Sequence, residues 1–383
     1  MPLSLAATAL AVAAAVPAAA SAGADHRRPP DSRIVGHVYV NDNTAPANTV
    51  AAFDRHADGS LTPVPGSPFA TGGAGTGTTV PSQGALQETA DGRFLLAVDP
   101  GSSQISVLRI ESDGALQAVP GGVVPSGGSE PVSIALDRHL VYVANAGAGG
   151  SNYTGFGLWH GRLWPIPGST YPLPDAAAPG DVLFNSSGTN LVGTRVGTSQ
   201  IDSFAVGRDG RLTAAAGSPF AAQGAGPFGS EFRPTDPSQL FVSNAHGGAG
   251  NGTVSAFRVA GDGTLDAIGA SPFADLQTAP CWVEISHDGR FLFTVNTAVP
   301  SISRYAIAPD GSLALLGSTP FAAGAGLAPF DARLSPDGRT LWVVDNGGDA
   351  VSAFAVDGGS LTELAPSAAA LPAGAKPFGI VVN

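Results

Sequence analysis

Cysteine is almost missing. Cys281 is the only one in 383 residues, so no disulfide can form within the chain, and stability has to come from packing. A lone cysteine of this kind is expected as a small buried hydrophobe. Charge is also scarce: Asp, Glu, Lys and Arg make up 13% of the chain, and 18 Lys and Arg against 30 Asp and Glu leave a net charge of −12. The basic residues are scattered, so nothing invites a phosphate backbone, and nucleic acid is not an expected partner. After the first residues no run approaches the roughly 18 apolar residues that a membrane helix needs, so no membrane span is expected. His26, His37, His56, His139, His160 and His287 fall in tails or turns without metal-ligand spacing, which argues against a zinc site. The Gly-rich stretch from Gly72 to Gly77 lacks the lysine and following helix of a phosphate loop, and no Gly-x-Ser-x-Gly elbow appears.

Glycine (52), proline (32) and apolar residues (43%) are plentiful, as suits many short strands joined by tight turns around a large core. Residues 1–22 read as a secretory signal: residues 3–16 are apolar and Ala-rich, and Ala20-Ser21-Ala22 offers small residues before Gly23. No Lys or Arg precedes the apolar stretch, and Arg27-Arg28 follows it, so this is not a twin-arginine signal. Residues 23–35 read as a disordered linker and 36–383 as one domain. The expected location is extracytoplasmic or secreted, and the expected state is monomeric.

A turn followed by a short apolar strand recurs seven times. It appears as Asp58-Gly59, Asp113-Gly114, His160-Gly161, Asp209-Gly210, Asp262-Gly263, Asp310-Gly311 and Asp357-Gly358, at intervals of 47 to 55 residues. A second marker, Ser-Pro-Phe, follows at Ser67-Pro68-Phe69, Ser218-Pro219-Phe220 and Ser271-Pro272-Phe273, with a variant at Thr319-Pro320-Phe321. Each period holds four strand signals with period-2 alternation and neither face strongly polar, which suits strands covered on both sides. Even repeats of four strands specify an all-β, seven-bladed propeller. The first period opens at its second strand, His37-Val38-Tyr39-Val40, while the chain ends on Pro377-Phe378-Gly379, like the inner-strand openings Pro227-Phe228-Gly229 and Pro329-Phe330-Asp331. The C-terminal strand is therefore expected to complete the first blade and close the ring.

Pro336-Asp337-Gly338-Arg339-Thr340-Leu341-Trp342-Val343, its cousins at residues 91–96 and 288–293, and the closing residues 377–383 resemble the bacterial propeller lactonases. That family includes 6-phosphogluconolactonases and 3-carboxymuconate cyclase-like proteins. Ala279-Pro280-Cys281-Trp282-Val283 and Thr294-Val295-Asn296-Thr297 are similar to an extracytoplasmic, lactonase-like branch. The resemblance implies lactone hydrolysis by His, Arg and Glu near the axial channel. This chain departs there: it has Gly180 at a family His position, Phe228-Gly229 where Arg-His stands, and Ala245 in place of Glu.

Counting from the proline that opens the inner strands, the second position forms a ring of Gly84 (placed by alignment, since its blade lacks the proline), Ser133, Asp181, Gly229, Trp282, Asp331 and Gly379 facing the channel. Asp181 and Asp331 are candidates for divided acid and base roles, or for a channel-bound divalent cation, although no cofactor is required. Glu231 and Glu284 stand at the fourth position and Arg233 at the sixth, so these are either catalytic or a structural Glu–Arg pair across blades. His246, in a Gly-rich loop, is a candidate substitute for the missing catalytic groups. Trp159 and Trp164 are expected in the core. Two functions remain open: a secreted hydrolase of a small lactone, of sugar or carboxymuconate type, and a non-catalytic extracellular propeller that binds a ligand, glycan or protein.

Overall fold

The computed structural model describes residues 32–322, 327–364 and 369–383. The expected signal segment at residues 1–22 lies outside them. Each sequence period becomes one antiparallel sheet, and seven such sheets are formed. Four strands in meander order run outwards from the axis. Blade 4, for example, is Pro179–Phe184, Asn190–Arg195, Gln200–Val206 and Leu212–Ala214. Among the described residues the only helical pieces are two 3-10 turns, Pro100–Ser102 and Asp175–Ala177.

Both sequence markers have a structural cause. The Asp-Gly pair is the hairpin between third and fourth strands. The carboxylates of Asp58, Asp113, Asp209, Asp262 and Asp310 each accept the backbone N–H two residues on, at 2.9–3.2 Å. The glycine then takes a positive φ, +77° at Gly210, which a side chain would strain. In the second marker the serine replaces a missing ladder partner where the outer strand breaks. Ser67, Ser218 and Ser271 accept the N–H of Ala52, Ser203 and Ala256 on the third strand at 2.9, 3.0 and 2.7 Å. A two-residue strand such as Phe220–Ala221 then resumes the pairing. Blade 6, which carries the variant marker, has instead one unbroken outer strand, Leu313–Pro320.

The ring closes as the chain ends require. Val38, Tyr39 and Val40 pair with Val382, Val381 and Ile380, so Ile380–Val382 is the inner strand of blade 1. His37 and Asn383 exchange both backbone hydrogen bonds, at 3.2 and 3.0 Å. The strand joined in this way already begins at Ile34, two residues ahead of the expected domain boundary.

The core lies between the sheets. Tyr39, Tyr142, Tyr153, Phe204, Phe293, Tyr305 and Phe354 are fully buried there, each such side chain contributing about 1.5–3 kcal/mol. Cys281 is buried and free, as expected. Trp159 and Trp164 depart from the expected core packing, with 59% and 61% of their surface exposed. They sit at the outer hairpin of blade 3, at the end of Asn152–Trp159 and in Arg162–Pro165, where a radial array leaves neighbouring sheets furthest apart.

Candidate functional site

The seven inner strands, Ile380–Val382, Leu86–Glu88, Pro131–Asp137, Pro179–Phe184, Pro227–Arg233, Pro280–Ile285 and Pro329–Leu334, contact one another in sequence around the axis. In blades 3 to 7 the pairing with the second strand slips just after the opening proline, between Pro131/Ser133, Pro179/Asp181, Pro227/Ser230, Pro280/Trp282 and Pro329/Ala332. A bulge at that point re-aims the side chains that follow it. It brings Ser133, Asp181, Ser230, Trp282 and Asp331 together, all buried.

Asp181 is the hub of the ring. Its Oδ1 accepts the Ser133 hydroxyl at 3.2 Å, and its Oδ2 accepts the Ser230 N–H and hydroxyl at 3.0 and 2.7 Å. Burial nevertheless pushes its pKa up to about 7, with the Asp331 charge adding to the rise and the Ser230 donors opposing it. The Asp331 carboxylate accepts the Gly84 N–H at 3.3 Å and its neighbour's N–H, from Ala332, at 2.9 Å. Burial raises it to about 6 against the pull of the Arg333 charge.

Between its two ends the channel is blocked. Blade 2 lacks the opening proline, and residues 82–85 cross the axis before its short inner strand begins. Gln83 Nε2 donates to the carbonyls of Ser230 (2.9 Å) and Val283 (3.3 Å), and its Oε1 accepts the Val283 N–H at 3.0 Å. Trp282 Nε1 donates to the Ser82 carbonyl at 2.7 Å, while its ring stacks on Phe330 at 4.5 Å and meets Phe228 edge-on at 5.2 Å. The end where the inner strands start is therefore filled with aromatic packing.

The other end is charged and open to water. Arg333 Nη1 lies 3.1 Å from Glu284 Oε2 and 3.9 Å from Glu231 Oε2. Glu284 is committed to structure, because its second oxygen accepts the Leu334 N–H at 2.9 Å. Glu231 has no hydrogen bond among the described residues, and its only ion pair there is the long one to Arg333. Burial, then the neighbouring Glu284 charge, holds its pKa well above the usual carboxylate range. The Glu231 and Arg333 side chains each keep 26% exposure. They border a cavity of about 150 Å³, with Gln83, Gln87, Asp181 and Leu183 among its other walls. That volume is of the order that admits one six-membered ring.

The remaining sequence candidates lie elsewhere. Arg233 is not the partner of the glutamates. Its guanidinium donates to the carbonyls of Gly289 and Ala308 and to Gln239 Oε1 at 2.8–3.0 Å, fastening blade 5 to blade 6. The expected Glu–Arg pair across blades exists, but its arginine is Arg333, from blade 7. The sequence offered a signal for this: Arg333 is fourth after Pro329, as Glu231 and Glu284 are fourth after their prolines. Gln83 had no such register, because its blade lacks the proline. His246 is exposed in the loop after the second strand of blade 5, packed beside Gly226. Pro227, where that inner strand starts, pairs with Asn244, whereas Glu231 pairs with Phe241, so His246 belongs to the aromatic end. Among the described residues no group of three or more His, Cys, Asp or Glu is arranged to hold a metal ion. Asp181 and Glu284 already direct oxygens to protein donors, while Glu231 has no hydrogen bond among the described residues.

Residues 232–378 match the family described as Lactonase, 7-bladed beta-propeller. Over that stretch the chain is lactonase-like. The 6-phosphogluconolactonase of Cronobacter sakazakii (strain ATCC BAA-894) is 35% identical over 132 residues, which make up 34% of this chain and 38% of that protein. The match thus spans well under half of the relative's length. Among solved structures, a Bacteroides uniformis protein provisionally described as a 6-phosphogluconolactonase superposes with a TM-score of 0.71 at 21% identity, covering 90% of this chain and 98% of that one. The Pseudomonas aeruginosa periplasmic gluconolactonase PpgL gives 0.69 at 20% identity, with the same coverage. At such identities the likeness is one of fold.

The lactonase-like positions that the sequence leaves empty are filled in a specific way. A Cβ on Gly229 would stand 2.2 Å from Gln83 Oε1 and 2.6 Å from the Cys281 carbonyl. The Gln83 amide thus occupies the space that any side chain at 229 would need, and Phe228 and Ala245 are buried. Replacement and blockage go together.

Proposed function

We propose that the chain is an exported, lactonase-like hydrolase that opens a small lactone, of sugar or carboxymuconate type, in the cavity at the charged end of its channel. The observation carrying this reading is Glu231: a carboxylate without a hydrogen bond, raised in pKa, facing a ring-sized cavity beside a fixed guanidinium. In its ionised form Glu231 takes a proton from water as the oxygen attacks the lactone carbonyl. Arg333, anchored by Glu284, lies beside the oxyanion that develops. When the intermediate collapses, the ring C–O bond breaks and Glu231 returns the proton to the leaving alkoxide, giving a hydroxy acid. Asp181 forms part of the cavity wall, and Asp331 holds the neighbouring Gly84 backbone. No step requires a cofactor.

A general base with a raised pKa must lose its proton before it acts, so enzymatic turnover rises with pH through a midpoint above the ordinary carboxylate range. The test is hydrolysis of a panel of sugar and carboxymuconate-type lactones, corrected for background, by the wild type, Glu231→Gln and Arg333→Met. Turnover lost in both variants supports the reading. The second reading, a non-catalytic extracellular propeller that binds a ligand, glycan or protein, is favoured by the aromatic filling at the lactonase-like positions. Absence of turnover on every lactone would select it. Export rests on residues 1–22, and N-terminal sequencing of protein recovered outside the cytoplasm tests it by finding Gly23 first.

A further inference from the structure

Blade 3 breaks the repeat at its outer hairpin, and the internal symmetry of the propeller shows what the break adds. Blades 3 and 7 build the same two-residue turn: Trp159 pairs with Arg162 across His160-Gly161, and Asp357 pairs with Ser360 across Gly358-Gly359. Each turn rests on a phenylalanine of the preceding blade. A Cβ on Gly161 would meet Phe94 at 2.5 Å, and one on Gly359 would meet Phe291 at 2.3 Å. Each phenylalanine carries an arginine 5.4 Å over its ring, Arg93 and Arg290 respectively. The scaffolds are alike, but their side chains are not.

At blades 6 and 7, Arg290 is spent on Asp288 at 2.6 Å, and the facing turn offers Asp357 and glycine. At blades 2 and 3, Arg93 has no ion pair among the described residues, although the Asp91 carboxylate accepts the Thr89 hydroxyl (2.6 Å) and the Arg93 backbone N–H (3.2 Å) just as Asp288 accepts those of Ser286 and Arg290. The facing turn offers Trp159, 59% exposed, held edge-on between His139 at 5.3 Å and His160 at 4.9 Å. His160 and Arg138 both have φ of +49°, a backbone that favours glycine, and His160 stands where blade 7 has Gly358. Together these residues border a groove of about 360 Å³ on an otherwise acidic molecule.

We propose that this groove is a binding site for a carboxylated sugar ring of the uronic acid class, separate from the channel. An exposed indole held edge-on by neighbours presents an apolar face to the C–H face of a pyranose. An unpaired guanidinium at its side suits a carboxylate through two parallel hydrogen bonds. Arg138 faces Asp137 at 3.9 Å and Asp91 also lines the groove, so Arg93 is the cation that selects acidic over neutral ligands on a molecule with a net charge of −12.

The test is isothermal titration of the full chain with tri-galacturonate and with neutral tri-galactose, alongside tryptophan fluorescence. The groove predicts saturable binding of the acidic trisaccharide, at least tenfold weaker binding of the neutral one, and weakening by salt. Trp159→Ala and Arg93→Ala each reduce affinity at least tenfold with an unchanged melting temperature, since both side chains lie on the surface. Equal binding of the neutral sugar, full affinity in either variant, or no binding of tri-galacturonate overturns the proposal. Glu231→Gln leaves this binding unchanged, which keeps the result independent of the lactonase reading.

Discussion

The two ends of the axial channel are built from the same seven strands and have opposite chemistry. Where the inner strands start, Phe228, Trp282 and Phe330 pack on one another, and the Gln83 amide lies where a side chain on Gly229 would sit. Two positions further along, Glu231, Glu284 and Arg333 face one another with water access. The fourth-position ring is also lopsided: its charges come from blades 5 to 7, while Ala135, Leu183 and Val381 supply apolar side chains from blades 3, 4 and 1. The difference teaches that a propeller assigns work to its ends independently. One end serves as core, and the other is free to hold groups whose ionisation costs stability.

The sharpest way to break this contrast is at the aromatic end. Trp282→Ala removes a fully buried indole and its bond to the Ser82 carbonyl. It should lower stability by about 3–5 kcal/mol, read as the denaturant midpoint. At the charged end the effect falls on turnover instead. Arg333→Met should reduce kcat by about 10²–10³-fold and Glu231→Gln by a similar factor, in steady-state assays on whichever lactone the panel finds. Arg233→Met separates the two arginines. It should cost about 1–3 kcal/mol of stability by orphaning the carbonyls of Gly289 and Ala308, with turnover kept.

A smaller effect is the dependence of stability on pH. Asp181 and Asp331 have folded-state pKa values raised to about 7 and about 6, so the folded protein binds more protons than the unfolded chain from about pH 4 upwards. The contribution of these two groups is therefore largest below that pH and declines as pH climbs through 6 and 7. Melting curves should show a higher Tm at pH 5 than at pH 8, and Asp181→Asn should flatten the decline. The smallest effect expected is none: His246→Ala, at the aromatic end, should leave turnover and Tm unchanged.

Much of the architecture was legible because its signals are local and repeated. Asp-Gly hairpins and alternating strands recur at each period, and the terminal segments show the half-blades that complete each other. The site was legible only in part. Of the second-position ring, Ser133, Asp181, Trp282 and Asp331 gather after the bulges of blades 3, 4, 6 and 7, while in blade 5 Ser230 takes the place read for Gly229. Arg333 was missed for Arg233 because a guanidinium on a long stem shows its direction only in three dimensions: Arg233 reaches outwards to the blade 6 carbonyls, and Arg333 inwards to Glu284. The tryptophans of blade 3 were misplaced for a related reason. Aromatic residues in strands are usually covered, and only the splay between sheets at the rim leaves these two bare.

Sequence alone determined the number of blades, their strand order and the joining of the ends, because turn chemistry and period-2 alternation act within a few residues and repeat seven times. Tertiary structure decided which groups meet at the axis. Gln83 reaches Ser230 and Val283 from more than a hundred residues away, and the pKa of Glu231 is set by burial and then by a glutamate and an arginine on other blades. Burial and charge depend on distance in space, and only the closed ring supplies that distance.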